Sequence, residues 1–263
     1  MYTDYKKHEA MHTAFFKKKV EEKTSKLYGE IFENLSNEGF YQKSESYLRR
    51  TGIDENWFEG KICLDAGCGG GIATYALLQM KGAKVFAFDI GRKCLDVARN
   101  KCKTESLNPL FLQCHIENIP LKDNVFDFVN CNGVLHHLYD FVRAFSELVR
   151  VLKPGGFMFI GVYGKGGIMN EVKIKFFRAV AKIIPYKIMS NLLPNKSRNE
   201  WLDNLYVPIR RSFYEEDIVF IFKRHHFEVI KRLSQDFYRR PQSIYEKLKI
   251  GRDGMYMHFL VKK

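Results

Sequence analysis

The stretch from Lys61 to Thr74, KICLDAGCGGGIAT, constrains the fold more than any other part of the chain. A short apolar run ends at Asp65, glycines follow at 67, 69, 70 and 71, and a helix-like pattern begins at Ile72. That order reads as a strand, a tight turn and a helix start. Glycines at such a turn adopt positive φ and let a ligand lie against bare main chain, while the first turn of the helix presents unpaired N–H donors. Two ligand classes use this geometry. A dinucleotide fingerprint beginning at Gly67 needs glycine at position 72, where Ile72 stands. A carboxylate at the strand end, Asp65, repels a phosphate and attracts an ammonium. The expected ligand is therefore an amino-acid nucleoside.

With Asp65, Gly67, Gly69 and Gly71 in the pattern acidic-x-G-x-G-x-G, the sequence resembles the class I S-adenosylmethionine-dependent methyltransferases. Four further stretches carry the resemblance. KVFAFDIG places Asp89 at a second strand end, 24 residues after Asp65, with Ile90 beside it. The resemblance gives Asp89 both ribose hydroxyls. FLQCHIENIPLKDNVFDFVNCN resembles the family's adenine-contacting turn and fourth strand, with His115 and Ile116 where many relatives carry Asp-Ala. NGVLHHLYD lies past that strand, so Asn132 is expected to face the methionine end of S-adenosyl-L-methionine, and His136 and His137 the cofactor or the acceptor. RVLKPGGFMFIGVY matches the family's helix, turn and fifth strand, with Lys153 read as the last-turn cation of the helix. The implied fold is α/β, a Rossmann-like seven-stranded mostly parallel sheet with an antiparallel last strand and helices on both faces.

A chain of 263 residues builds one sizeable core with accessories. Residues 1–54 read as an N-terminal helical cap, with Val20, Leu27, Ile31 and Phe32 apolar among many Lys and Glu, and residues 55–263 as the cofactor-binding domain. Phe227 to Leu233 and Met255 to Val261 supply the closing hairpin, joined by a long basic, aromatic loop. The six cysteines all fall in the expected core and form no C-x-x-C pair, which reads as reduced thiols with no metal site. No run of 18 or more apolar residues and no signal-peptide core is present, so a cytoplasmic protein is expected.

The segment 164–212 after the fifth strand is expected to be the acceptor lid. Turning about 100° per residue, Met169, Val172, Phe176, Val180, Ile183 and Ile184 share one side of a helix and Lys175, Arg178 and Lys182 the other. The apolar stripe is expected to pack inward over the acceptor, with lying on an anionic membrane as the other use of such a helix. Tyr163, Phe176, Tyr206, Arg210 and Arg211 are the acceptor-side candidates. LDNLYVPIRRSF resembles the Asp-x-x-x-x-Pro approach to the last helix in ubiquinone/menaquinone-type enzymes, the small-molecule group that the chain most resembles.

The net charge of +13 suits an anionic acceptor, nucleic acid or acidic lipid. The favoured reading is methyl transfer to a small-molecule or lipid-like acceptor at oxygen, with His137 as first candidate base and His136 as second. A tRNA or rRNA methyltransferase is the alternative. VNCNGVLHHL stands where many base N-methyltransferases carry Asn/Asp-Pro-Pro-Tyr, which counts against it. A S-adenosylmethionine-binding partner subunit without catalysis is a third reading.

Overall fold

Strand β1, Ile62–Ala66, is buried from Cys63 onward, as a central strand covered by helices on both faces must be. The computed structural model describes residues 14–80, 82–103, 108–165, 168–193, 198–233 and 256–263. Around β1 stand β2 (Lys84–Asp89), β3 (Leu110–Gln113), β4 (Phe126–Asn132), β5 (Leu152–Tyr163), β6 (Glu228–Arg232) and β7 (Tyr256–Lys262). They form one seven-stranded sheet in the order β3-β2-β1-β4-β5-β7-β6. Strands β1 to β5 pair in parallel, and β7 runs antiparallel between β5 and β6. This is the Rossmann-like sheet expected from the sequence. The chain order reverses between β1 and β4, so the crevice beyond their carboxyl ends is where a ligand binds in such a sheet.

Helices α1 (Ala14–Glu33) and α2 (Asn37–Arg49) precede the sheet; α3 (Ile72–Leu78), α4 (Arg92–Lys103) and α5 (Phe141–Val151) connect its strands. In α5 the residues Phe141, Ala144, Phe145, Leu148 and Val151 are buried at helical spacing, and the Asp140 side chain caps the start by accepting from Arg143 N. That face joins Leu64, Val129, Ile160 and Phe222 in the main core. A second core on the opposite face of the sheet joins Tyr47, Phe58, Ala76, Leu77 and Phe159. The final helix α9 (Glu215–Arg224) carries three acids in its first turn and Lys223 and Arg224 in its last, the order its dipole favours.

Lys153 is not the last cation of α5. The helix stops at Val151, and Lys153 in β5 pairs with both Asp127 oxygens at 2.9 Å. Arg150 holds the last-turn position instead. Pro154-Gly155-Gly156 then sits inside β5 as an irregularity against β4, with Gly155 at φ 76°.

The segment after β5 folds into α6 (Ile168–Ala181), α7 (Tyr186–Leu192) and α8 (Arg198–Tyr206). Its stripe is turned the other way from the sequence expectation. Ile174 and Ala181 are buried and Phe177 packs beside them, whereas Val172 and Phe176 are 55% and 63% exposed. The cause is a demand for donors at the end of α8. The carbonyls of Asn204 and Val207 there accept from the Arg178 guanidinium at 2.7 and 2.8 Å, which pulls the supposedly solvated basic face inward. The Met169 side chain and the loop 234–255 between the last two strands lie outside the described residues. Leu27 and Ile31 of α1 share a cluster with Ala181, Met189, Leu202, Leu205 and Val207, so the N-terminal helix and the inserted helices meet in one secondary core.

Candidate active site

A cavity of about 480 Å³ opens at the carboxyl ends of β1, β2 and β4, within the range of cofactor sites. Its floor is the glycine turn. Gly67 and Gly69 sit at φ 74° and 53°, and an added Cβ would stand 2.5 Å from Val134 at the first and 2.5 Å from Phe32 at the second. Side chains are excluded there on grounds of both backbone conformation and space. Gly71 ends the turn at φ 88° as the N-terminal cap of α3.

Asp89 closes one side. Its Oδ2 accepts from Gly69 N at 2.9 Å and its Oδ1 from Gly91 N at 2.7 Å. Burial pushes its carboxyl up from the ordinary value, against the pull of those two backbone donors. Asp65 lies deeper. Thr74 Oγ1 donates to its Oδ2 at 2.6 Å and Asn130 Nδ2 to its Oδ1 at 2.7 Å, while burial raises its pKa to about 6. Tyr47 OH donates in turn to Asn130 Oδ1 at 2.8 Å. Asp65 thus ties β1 to β4 and α3 as well as bordering the cavity.

Ile90, His115, Ile116 and Asn132 also line the cavity, as expected. The His115 ring is already engaged: Glu117 N donates to Nδ1 at 3.1 Å, which places the proton on Nε2 facing Glu21 at 3.0 Å. Glu117 brings a further buried carboxyl to the same turn. The Asn132 Oδ1 is buried without a hydrogen-bond partner among the described residues and lies so close to Gly161 that a Cβ there would stand 1.7 Å away.

The two histidines separate. A short 3-10 turn, Leu135–His137, buries both rings, but only His137 lines the cavity. Its Nδ1 lies 2.8 Å from the Ile209 carbonyl, which can only accept, so Nδ1 carries the proton and Nε2 the lone pair. Nε2 is 2.8 Å from the Tyr28 hydroxyl, and that hydroxyl is 2.6 Å from Asp203 Oδ1. One phenolic proton thus faces two acceptors, His137 Nε2 and Asp203 Oδ1. Tyr163 OH donates to the other Asp203 oxygen. Burial lowers the His137 pKa, Asp203 opposing it, and the ring is neutral at pH 7. His136 is pressed between His137 and Tyr163 at ring distances of 4.0 and 4.1 Å, away from the cavity, and burial holds its pKa well below the ordinary value.

The acceptor-side candidates require correction. Among the described residues none of Tyr163, Phe176, Tyr206, Arg210 and Arg211 lines the cavity. Tyr163 is buried behind Asp203, Phe176 faces outward, and Tyr206 donates to Ile184 O at 2.7 Å. Arg210 donates to Asn204 Oδ1 and stacks over Tyr163, while Arg211 donates to Tyr139 O at 2.8 Å and through its backbone N–H to His136 O. The Arg210 guanidinium is held by a side-chain amide of α8 and that of Arg211 by a loop carbonyl, so neither turns toward the open cavity. Sequence reasoning passed over Tyr28, Asp203, Lys43 and Arg50, which do line the cavity. Asp203 had a signal, as the acid of the Asp-x-x-x-x-Pro pattern. Tyr28 had none, because its role depends on α1 packing over a loop more than a hundred residues away.

Residues 64–160 match the family model described as a methyltransferase domain. The chain is 32% identical over 137 residues to a ubiquinone biosynthesis O-methyltransferase of Coxiella burnetii, covering 52% of this chain and 54% of the relative. It is 30% identical over 153 residues to a demethylmenaquinone methyltransferase of Geobacillus, covering 57% of this chain and 61% of the relative. The chain spans little more than half the length of these curated relatives. Magnesium protoporphyrin IX methyltransferase from Synechocystis PCC 6803, solved with bound S-adenosylhomocysteine, superposes with a TM-score of 0.56 at 18% identity, covering 85% of this chain and 82% of that one, which shows a shared fold. The glycine turn and the sheet order coincide with the family match, so residues 64–160 match a methyltransferase domain on a sheet of the kind that binds S-adenosylmethionine in the solved relative.

Proposed function

We propose that this chain transfers the methyl group of S-adenosylmethionine to a hydroxyl of a small-molecule or lipid-like acceptor. The observation that carries the reading is the continuity of one cavity from the glycine turn and Asp89 to His137, Tyr28 and Asp203. The backbone turn at Gly67 and Gly69, at positive φ on the cavity lining, fits the nucleoside. On this reading Asp89 accepts the ribose hydroxyls, Asp65 accepts from the ammonium, the turn at His115 and Ile116 flanks the adenine, and Asn132 borders the methionine end. Lys43 and Arg50, exposed at the rim of the cavity, offer cations to a carboxylate on the cofactor or the acceptor.

The bound cofactor supplies a sulfonium methyl that is already electrophilic, so the protein has to align a nucleophile, remove its proton and exclude water. His137 Nε2 holds the only lone pair of a neutral ring and faces the cavity through Tyr28. An acceptor hydroxyl delivers its proton to Nε2, directly or by exchange through the phenol. Asp203 Oδ1, 3.6 Å from Nε2, then offsets the imidazolium charge. Helix α8 of the 164–212 segment borders this end of the cavity through Asn199 and Asp203, which suits a lid, and α1 lines it from the other side.

The test is transfer of a labelled methyl group to a panel of phenols and quinol precursors, neutral and carboxylated, beside tRNA. Label on a phenolic oxygen, lost in His137→Ala while S-adenosylhomocysteine still binds, is the expected result. Label found in RNA alone would move the chain to nucleic-acid methylation, and binding without transfer to any acceptor would favour a partner subunit.

A further inference from the structure

The face of α6 and α7 that looks away from α8 is apolar where a solvated helix face should be polar. Val172 and Phe176 lie within about 40° of arc on α6 at 100° per residue, Ile183 stands in the turn that follows, and all three are more than half exposed. Ile188 and Leu192, one turn apart on α7, are 53% and 70% exposed. These five make up most of the large exposed apolar side chains among the described residues. The inner faces are fixed independently, by Ala181 and Met189 in the core shared with α1 and α8. The outward stripe is therefore not a helix that failed to pack.

The charges around the stripe have one sign. Lys173, Lys175, Lys182 and Lys187 are exposed beside it, and the only acid between residues 168 and 193 is Glu171, which accepts from Ser212 Oγ at 3.1 Å. Lys175 falls on one flank of the α6 stripe and Lys173 on the other, with Lys182 in the turn beside Ile183. Among the described residues no helix is long and apolar enough to cross a membrane, so insertion would be confined to the interface.

We propose that this face is a docking surface for an anionic lipid bilayer. The occupant follows from the combination: large aliphatic and aromatic side chains reach the acyl boundary while lysines on long apolar stems reach back to anionic headgroups. A protein partner of matching shape would need an acidic rim around an apolar centre, and a second copy of this chain would bring lysine against lysine. Docking would place the segment that borders the cavity at the lipid surface. The inference stands on the surface alone and does not depend on the chemistry assigned to His137.

The experiment is co-sedimentation of the full chain with vesicles of phosphatidylcholine alone, or with about a third phosphatidylglycerol. The expected result is binding to the anionic vesicles that weakens as salt is raised, with little binding to phosphatidylcholine alone. Removing Lys175 and Lys182 together by substitution with Gln should lower the partition coefficient by about fivefold for each charge. Phe176→Ser with Ile183→Ser should lower it at low salt and at high salt alike. Retained S-adenosylhomocysteine binding shows in each case that the variants fold. Absence of binding to anionic vesicles at low salt overturns the proposal, as does binding that both double variants leave unchanged. Dimerisation in sedimentation velocity without lipid, abolished by Phe176→Ser with Ile183→Ser, would also overturn it and assign the face to a second copy.

Discussion

Replacing Asp89 by Ala separates what this residue does for the turn from what it does for the ligand. In the folded chain its two oxygens accept from Gly69 N and Gly91 N at 2.9 and 2.7 Å. Loss of both acceptors leaves two N–H groups at the edge of an open cavity, where water can replace them in part, so the cost to the ligand-free fold is about 1 to 2 kcal/mol. For a chain of this size that lowers Tm by roughly 2 to 4 °C. The ligand effect is additional. A carboxylate accepting ribose hydroxyls makes charge-assisted hydrogen bonds, and losing them weakens binding by about 1 to 3 kcal/mol, or roughly 5- to 150-fold in Kd. Titration calorimetry with S-adenosylhomocysteine measures the affinity and differential scanning calorimetry of the ligand-free protein the stability. Asp89→Asn discriminates further: the amide keeps one acceptor and puts an NH₂ against a backbone N–H, so its stability should resemble that of the Ala variant while its affinity falls less. An Asp89→Ala protein that binds the product within a factor of two of wild type refutes the ribose assignment, whatever happens to Tm.

Cofactor affinity should depend on pH through Asp65. Its folded pKa is raised to about 6, so below that pH the ligand-free site holds a neutral acid that no longer attracts an ammonium, and Kd for S-adenosylhomocysteine should rise about tenfold between pH 7 and pH 5. The same shift predicts a stability term opposite to the usual one for a carboxyl. Protonation favours the fold between the unfolded pKa and about 6, and this contribution is lost as pH rises through that window. Gly69→Ala should destabilise the chain and block the cofactor together, since φ is 53° and the new Cβ would stand 2.5 Å from Phe32. Thermal unfolding with and without S-adenosylhomocysteine reads both effects. His137→Ala should lower kcat for a hydroxyl acceptor by roughly 10² to 10⁴ and leave product affinity nearly unchanged, a split that steady-state kinetics beside calorimetry resolves.

The cofactor half of the site was legible because its constraints are local. Gly67, Gly69 and Gly71 declare a turn within six residues of Asp65, and Asp89 follows at the end of the next strand, so one βαβ unit contains the core of the argument. The half proposed for the acceptor was not legible in the same way. Its polar groups come from α1, the His137 turn and α8, and the bonds that assemble them span more than a hundred residues. Periodicity found the α6 stripe and gave it the wrong side, because the pattern records which residues share a face and not which face meets the core. Arg178 decided the orientation, through carbonyls that only tertiary structure brings near it. Arg210 and Arg211 illustrate the same limit: a guanidinium in an inserted segment serves a side-chain amide or a backbone carbonyl as readily as an anionic ligand.

One helix connects the two halves. Phe32 of α1 lies over Gly69 and Gly70, and Tyr28, one turn earlier on the same helix, holds His137 Nε2 and Asp203. A nucleoside settling on the glycine turn must share that space with the Phe32 ring, and a helix transmits a shift at one residue to its neighbour four positions away. On the proposed reading, cofactor arrival and alignment of the base are therefore mechanically joined through α1. Leu27 and Ile31, buried in the core with α8, hold the helix against a rigid partner, so the adjustment is confined to the face that carries Tyr28 and Phe32. Phe32→Ala tests the connection, because Phe32 touches neither His137 nor Asp203 through any hydrogen bond. If α1 transmits the cofactor's position, the variant should shift the pH dependence of kcat that His137 governs as well as change cofactor affinity. A change in affinity with an unaltered kcat profile would show instead that the cofactor and the base are set independently.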